Sequence, residues 1–229
     1  FVPMLNPDGA EKYERRNAQG IDLNRDALAL QAPESRILRD LQHSLQPEFG
    51  FNLHDQSPRY SVGRTNKVAA ITFLATAYDH DRSINDVRKK AMQLVTGMNR
   101  ELQKYIPNQV ARYNDAHEPR GFGDNVQKWG TTLVLIESGG YVGDPEKKYL
   151  RKLNFVALLS ALDSIATESY QQEDYKEYET IPENANYIYD LIVRGATVEG
   201  KEIHYKTDIG INRHEVNYDK ASQYFYRST

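Results

Sequence analysis

Several residues near the start of the chain have the chemistry of an anion-binding site. An Asn-Pro-Asp-Gly turn at residues 6–9 is followed by the pattern R-x-N-x-x-G-x-D-L-N-R at residues 15–25. The proline fixes φ and the glycine permits a positive φ, so the turn has a defined shape. The planar guanidinium of Arg25 can hold a carboxylate through two parallel hydrogen bonds, and the amide of Asn24 can donate a third. The pattern therefore predicts a receptor for a free carboxylate, unless these side chains only satisfy loop carbonyls.

Two more ionisable side chains stand at the ends of strand-like runs. His54 ends the run F-G-F-N-L-H at residues 49–54, and Glu137 directly follows the apolar run T-T-L-V-L-I at residues 131–136. Ligands of open α/β sheets bind beyond the carboxyl ends of the strands, where both side chains are expected. A buried carboxylate is also costly without a partner or a task. Both residues are therefore site candidates, with a structural hydrogen bond and a structural ion pair as the respective alternatives.

The elements that have to position these residues alternate between short apolar runs and amphipathic segments, as in domains whose sheet is covered by helices. The alternation predicts an α/β fold with a mixed, mostly parallel sheet flanked by helices. Strands are expected at residues 49–54, 69–76 and 131–136, and helices at residues 33–46, 83–105 and 147–167. The polar stretch at residues 107–130 is predicted to be a loop that borders the site, since loops of that length are usually functional or disordered.

The composition changes after the last of these helices. Residues 169–185 are acidic, rich in tyrosine and contain a proline, and are predicted to be a linker. Residues 186–229 alternate apolar and polar side chains around glycine, which predicts a small β-rich module that could continue past Thr229. Residues 1–168 form the predicted main domain, and Phe1 is expected to lie inside a fold whose earlier part is missing.

The overall composition excludes several classes of protein. The net charge of the 229 residues is −3, and Lys and Arg form no basic stripe, so a nucleic acid partner is not expected. The longest apolar run covers residues 68–77, which is well short of the roughly 20 residues that cross a bilayer, so no membrane span is expected. The absence of cysteine excludes disulfides, thiolate nucleophiles and cysteine-ligated zinc.

The N-P-D-G turn and the R-x-N-x-x-G-x-D-L-N-R pattern together resemble the signature of the zinc metallocarboxypeptidases, and G-F-G-D at residues 121–124 is similar to the bacterial branch of that family. The resemblance covers residues 1–167. It implies that Asn24 and Arg25 bind the C-terminal carboxylate of a peptide and that Arg15 stabilises the oxyanion. Arg15 fits better than its neighbour Arg16, because of its ten-residue spacing from Arg25 and the asparagine two positions later.

The same resemblance assigns roles to the two residues at strand ends. It implies that His54 is one of three zinc ligands and that Glu137 is the general base and acid of the reaction. The other two ligands of the family come from an H-x-x-E element before the N-P-D-G turn, and this sequence has no such element. Either those ligands lie before Phe1 or this form is inactive. Tyr113 lies in the region where many members supply a mobile tyrosine, and its role stays open.

The sequence thus predicts a zinc-dependent metallocarboxypeptidase that hydrolyses the C-terminal peptide bond, or a related amide, of a peptide or peptidoglycan-like substrate with a free carboxylate. The resemblance also implies a secreted or periplasmic protein. Two alternatives stay open. A deacylase of small N-acyl amino acids would use the same fold, and a non-catalytic homologue would bind a carboxylate or a peptide without metal.

Overall fold

The computed structural model describes residues 1–200, 203–217 and 224–228, with side chains up to residue 213. The chain divides into two units, Phe1–Asn186 and Tyr187–Thr229. Within the described residues, no helix has both the length and the apolar character that crossing a lipid bilayer requires.

A mixed sheet forms the centre of the first unit. The strands of this unit are β1 (Phe49–Asp55), β2 (Ser61–Val62), β3 (Ile71–Ala75), β4 (Val110–Arg112), β5 (Thr132–Ser138) and β6 (Asn184–Ala185). Four of them form one sheet in the order β1-β5-β3-β4. Strand β1 is parallel to β5 and β3 is parallel to β4, whereas β3 and β5 are antiparallel. The prediction of a mixed, mostly parallel sheet is therefore confirmed.

Helices flank this sheet, as predicted. They are α1 (Pro7–Lys12), α2 (Pro33–Leu45), α3 (Asp86–Leu102), α4 (Phe122–Lys128), α5 (Lys148–Ala166) and α6 (Glu177–Thr180), with short 3-10 turns at Leu23–Arg25 and Ser169–Gln172. The three longest helices, α2, α3 and α5, lie where the apolar spacing predicts them. Helix α3 begins slightly later than predicted, because the side chain of Asn85 caps it by accepting a hydrogen bond from the Arg88 N–H.

Two stretches are more regular than the sequence predicts. The Asn-Pro-Asp-Gly turn is the start of α1, which Asn6 caps by accepting a hydrogen bond from the Gly9 N–H. Residues 107–130 contain β4 and α4 as well as loop segments, which corrects the prediction of a single loop. Strand β4 forms because Val110 and Ala111 are buried beside β3, where an extended backbone completes the sheet.

The core lies where β3 and β5 pack against α3 and α5. Strand β3 is buried along its whole length. Phe73, Met92, Leu94 and Leu150 are among the fully buried side chains of this cluster. Burying a side chain of this size contributes about 1.5–3 kcal/mol. The core therefore holds β5 rigidly in the interior of the sheet, with β1 and β3 on its two sides.

The acidic stretch at residues 169–185 belongs to the first unit, where a linker was predicted. Tyr170, Tyr178 and Ile181 are buried in the core, and the Tyr178 hydroxyl accepts a hydrogen bond from the Ala75 N–H. Strand β6, at the end of the stretch, pairs with β2. The charged residues suggested a solvated segment, but the tyrosines between them supply large apolar rings that the core covers.

The second unit is built from paired strands. Strand β7 (Leu191–Glu199) is antiparallel to β8 (His204–Ile211), and β9 (Arg213–Asn217) is antiparallel to β10 (Tyr224–Ser228). The register of β7 and β8 shifts between Val193 and Ala196, where Gly195 has a φ of 63°. This positive φ is the conformation that glycine adopts without strain, and it accounts for the bulge.

Candidate functional site

A cleft of about 320 Å³ lies beside the carboxyl-terminal halves of β1 and β5 in the first unit. The residues that the sequence singles out all line it, namely Arg15, Asn24, Arg25, His54, Glu137 and Tyr113. Alternate residues of a strand face the same side of a sheet. Asn52 and His54 of β1, and Leu135 and Glu137 of β5, line the cleft for this reason. Residues that are far apart in the sequence are therefore brought to one site.

His54 and Glu137 are neighbours across the parallel pair of strands β1 and β5, in which they are register partners. Neighbouring strands lie about 4.8 Å apart, so the two side chains leave the sheet close together on the same face. On the other side of β5, Glu137 is the partner of Thr72 in β3. Glu137 thus belongs to an interior strand and lines the cleft.

Burial controls the electrostatics of Glu137. Its Oε2 atom is buried and has no hydrogen-bond partner among the described residues. Burial, followed by the negative charge of Asp55, raises the pKa of Glu137 from 4.5 to about 7, and the charges of Lys147 and Arg15 oppose this rise only in part. A carboxyl group with a pKa near neutrality can both accept and return a proton at physiological pH.

The surroundings of His54 favour its neutral form. Burial lowers the pKa of His54 below its ordinary value, and the positive charge of Arg15 lowers it further. A neutral imidazole can act as a metal ligand. However, the described residues contain no group of three His, Cys, Asp or Glu side chains that could hold a metal ion. His54 therefore fits one ligand position, and the described residues do not complete a zinc site.

The loop that carries Arg15 is tied to the 3-10 turn that carries Asn24 and Arg25. Arg15 Nε donates to Asp22 Oδ2 at 2.8 Å. The other oxygen of the Asp22 carboxylate accepts the Asn24 N–H at 3.0 Å and so caps the turn. Arg16 donates instead to the Gly20 carbonyl, and it is Arg15 that lines the cleft. Asp22 therefore sets the spacing between Arg15 and the turn.

The side chains of Asn24 and Arg25 contact the first residue of α4 and the segment before it, respectively. Asn24 Oδ1 accepts the N–H of Phe122 at 2.9 Å, which leaves the amide NH₂ of Asn24 able to donate to a ligand. Arg25 Nε lies 3.2 Å from Glu118 Oε2, and Arg25 Nη1 donates to the Asn24 carbonyl at 2.6 Å. The two side chains are thereby held in defined orientations at the cleft.

Tyr113 lines the same cleft next to a second tyrosine. Burial raises the pKa of the Tyr113 phenol, and the nearby Tyr60 and Glu137 raise it further. The rings of Tyr113 and Tyr60 meet edge to face, with their centroids 6.4 Å apart. Tyr113 therefore remains a neutral phenol that can donate a hydrogen bond.

Sequence reasoning missed Glu118 and the two arginines that organise its segment. Asp115 is buried and paired with both Arg82 and Arg88, and Glu118, which follows on the same segment, lines the cleft. For Glu118 the only signal in the sequence is its place within residues 107–130, the stretch expected to border the site, and Arg82 and Arg88 lie outside that stretch. No motif distinguishes Glu118 from a solvent-exposed carboxylate.

No family model, curated protein or solved structure matches this chain.

Proposed function

We propose that the protein hydrolyses the C-terminal peptide bond, or a related amide, of a peptide or peptidoglycan-like substrate with a free carboxylate, in the manner of a zinc metallocarboxypeptidase. The observation that carries the proposal is the shared cleft. An Asn-Arg pair suited to a carboxylate and a buried carboxyl group with a pKa of about 7 line the same volume of about 320 Å³. The mixed sheet and its flanking helices would accordingly belong to a carboxypeptidase-like fold.

In this proposal Asn24 and Arg25 select the end of the chain. The amide NH₂ of Asn24 and the outer donors of the Arg25 guanidinium would bind the terminal carboxylate. Binding at that point orients the adjacent amide bond in the cleft, and such positioning accounts for much of the rate enhancement of many enzymes. A substrate whose carboxylate is blocked as an amide would lose these contacts.

Glu137 would move the protons of the reaction. Its carboxylate accepts a proton from the attacking water and returns it to the amine that leaves, which is the work of a general base and acid. Arg15 would stabilise the negative charge that develops on the scissile carbonyl oxygen, since a preorganised positive group is worth most where charge forms in the transition state.

Zinc would require more ligands than the described residues offer. His54 supplies one, and the proposal places the others outside those residues. When bound, the metal would activate water and polarise the carbonyl of the substrate. The Asn24 and Arg25 donors need no metal, and they favour a second candidate function, in which the cleft binds a carboxylate or a peptide without hydrolysing it.

Release of the terminal amino acid tests the proposal. The full-length protein is incubated with a peptide and with its C-terminal amide, each in the presence of zinc and in the presence of a chelator. Release is expected only from the peptide with a free carboxylate and only with zinc, and Glu137→Gln should lower the rate by about 10²–10⁴-fold. Full activity of Glu137→Gln would refute the mechanism, and binding without release would support the second candidate.

A further inference from the structure

We propose that Glu118 is a positioning residue that holds the guanidinium of Arg25 in the orientation needed to bind a substrate carboxylate. The inference rests on the proposed function, because it assigns Glu118 a part in the carboxylate receptor formed by Asn24 and Arg25. Glu118 itself would not touch the reacting atoms.

The contacts of the Arg25 guanidinium leave some of its N–H groups able to bind a ligand. Nε faces Glu118 Oε2 at 3.2 Å, and Nη1 donates to the Asn24 carbonyl at 2.6 Å. A guanidinium has five N–H donors in one plane, so one hydrogen bond from Nη1 and an ion pair beside Nε leave several donors for a ligand. The Arg25 side chain is 38% exposed. Without the contact to Glu118, a long side chain at this exposure would populate several rotamers.

Glu118 can hold Arg25 because it is itself fixed. Its Oε1 atom accepts the Arg120 N–H at 3.2 Å and Arg120 Nε at 3.4 Å. The backbone N–H of Glu118 donates to Asp124 Oδ1 at 3.3 Å. Burial tends to raise the pKa of Glu118, but the hydrogen bond from the Arg120 backbone and the charge of Arg25 outweigh it, so the pKa lies below its ordinary value. Glu118 is therefore an anion with a fixed position at neutral pH.

The same short segment also fixes the second receptor residue. The Phe122 N–H donates to Asn24 Oδ1 at 2.9 Å, and the Arg120 carbonyl accepts the Ala27 N–H at 3.2 Å. Residues 118–122 thus contact the side chains of Asn24 and Arg25 and the backbone of Ala27, which follows the 3-10 turn. Because these contacts fix both donors before binding, the entropy cost of binding a carboxylate is lower.

A competing interpretation makes the opposite prediction. If Glu118 only neutralised Arg25, it would compete with the ligand carboxylate, and its removal would strengthen binding because two like charges would no longer share one cation. If Glu118 positions Arg25, its removal weakens binding despite the gain in positive potential. The direction of the change in affinity therefore separates the two roles.

The test is calorimetric titration of the full-length protein, in buffer with a chelator, with N-acetyl-alanyl-alanine and with its C-terminal amide. For Glu118→Ala the Kd of the free acid should rise by roughly 3- to 10-fold, the usual cost of ordering one long side chain on binding. Glu118→Gln keeps an acceptor for Arg25 Nε and should restore most of the affinity. Glu48→Gln removes a carboxylate from an exposed ion pair with Lys90, and as the matched control it should leave Kd unchanged.

An unchanged or lower Kd in Glu118→Ala would overturn the inference while leaving the proposed function intact. Equal affinity of the wild type for the acid and the amide would refute the carboxylate receptor itself, and with it the inference. If Glu118→Ala does not fold, Glu118→Ser, whose side chain is too short to reach Arg25 Nε, takes its place in the same titration. A rise in Kd for Glu118→Ser supports the inference, and an unchanged or lower Kd overturns it.

Discussion

Arg15, Asn24 and Arg25 line the cleft from a loop and a 3-10 turn, whereas His54 and Glu137 line it from neighbouring strands of the sheet. The first three, the loop residues, are satisfied by hydrogen bonds to one another's segments and to residues 118–122. The last two, the strand residues, are partly buried where they line the cleft. Glu137 even retains a buried oxygen that has no hydrogen-bond partner among the described residues.

The difference shows two ways of preparing a side chain for chemistry. Hydrogen bonds fix the geometry of the loop residues, and no shift is needed to keep an arginine charged. Burial instead changes the proton affinity of the strand residues, since removal from water disfavours their charged forms. Hydrogen bonds thus orient the loop residues, and burial sets the proton affinity of the strand residues. Mutations in the two groups should therefore have different effects.

Arg88→Met should produce the largest loss of stability, because Arg88 anchors the segment that carries Asp115 and Glu118. Arg88 is buried and paired with buried Asp115, and it also donates to the Ala75 carbonyl. Its removal leaves the buried Asp115 carboxylate with only the exposed Arg82 as an ionic partner and should cost about 3–5 kcal/mol. Trp129 is the single tryptophan and lies in the first unit, so its fluorescence in urea measures the loss.

The matched control for that anchor is Arg82→Met. Arg82 pairs with the same carboxylate but is 56% exposed, so its removal should change the free energy of unfolding by no more than about 1 kcal/mol. Equal losses in the two variants would contradict the assignment of the anchor to the buried arginine.

Glu137→Gln should stabilise the protein, with an effect that depends on pH. The folded pKa of about 7 lies above the ordinary 4.5, so the contribution of the group to stability is fully present below pH 4.5 and is lost as the pH rises through 7. At pH 8 the variant should gain about 2–3 kcal/mol in the free energy of unfolding, and at pH 4.5 almost nothing. Urea titrations at both pH values, with a chelator present, measure the difference.

If the free energy of unfolding rose equally at pH 4.5 and pH 8, the charge of Glu137 would not be the cause of the gain. Glu48→Gln serves as the comparison, because Glu48 is 62% exposed in its pair with Lys90. Its effect on stability should be small at both pH values.

Asn24→Ala should cost a moderate amount of stability. The substitution leaves the N–H of Phe122, a buried residue, without its acceptor, which should lower the free energy of unfolding by about 1–2 kcal/mol. Asn24→Asp keeps the acceptor and should restore the stability, although its carboxylate would repel a ligand anion. A loss of equal size in both variants would argue against the hydrogen bond as the cause.

Arg15→Gln should have the smallest effect on stability. Arg15 is 61% exposed in its ion pair with Asp22, so the change in the free energy of unfolding should stay below about 1 kcal/mol. The positive charge of Arg15 lowers the pKa of both His54 and Glu137, so both values should rise in the variant. Proton NMR titration of His54 measures this shift. An unchanged pKa would show that the charge of Arg15 does not act on His54.

Much of the fold follows from local patterns. The spacing of Met92, Val95 and Met98 predicts α3, and the apolar run before Glu137 predicts β5, because burial of one helix face or of a whole strand leaves a regular trace in the sequence. Strand β4 and helix α4 leave no such trace. Both are short, and the sheet edge and the core stabilise them rather than their own composition.

The candidate site divides in the same way. The types and order of Arg15, Asn24, Arg25, His54 and Glu137 are enough to select them from the sequence, because few residue types hold a carboxylate, bind a metal or exchange a proton. Only the tertiary structure decides that they meet in one cleft, that the pKa of Glu137 is raised and that Glu118 forms an ion pair with Arg25. Desolvation and contacts between distant segments exist only once β1, β5 and residues 118–122 have packed together.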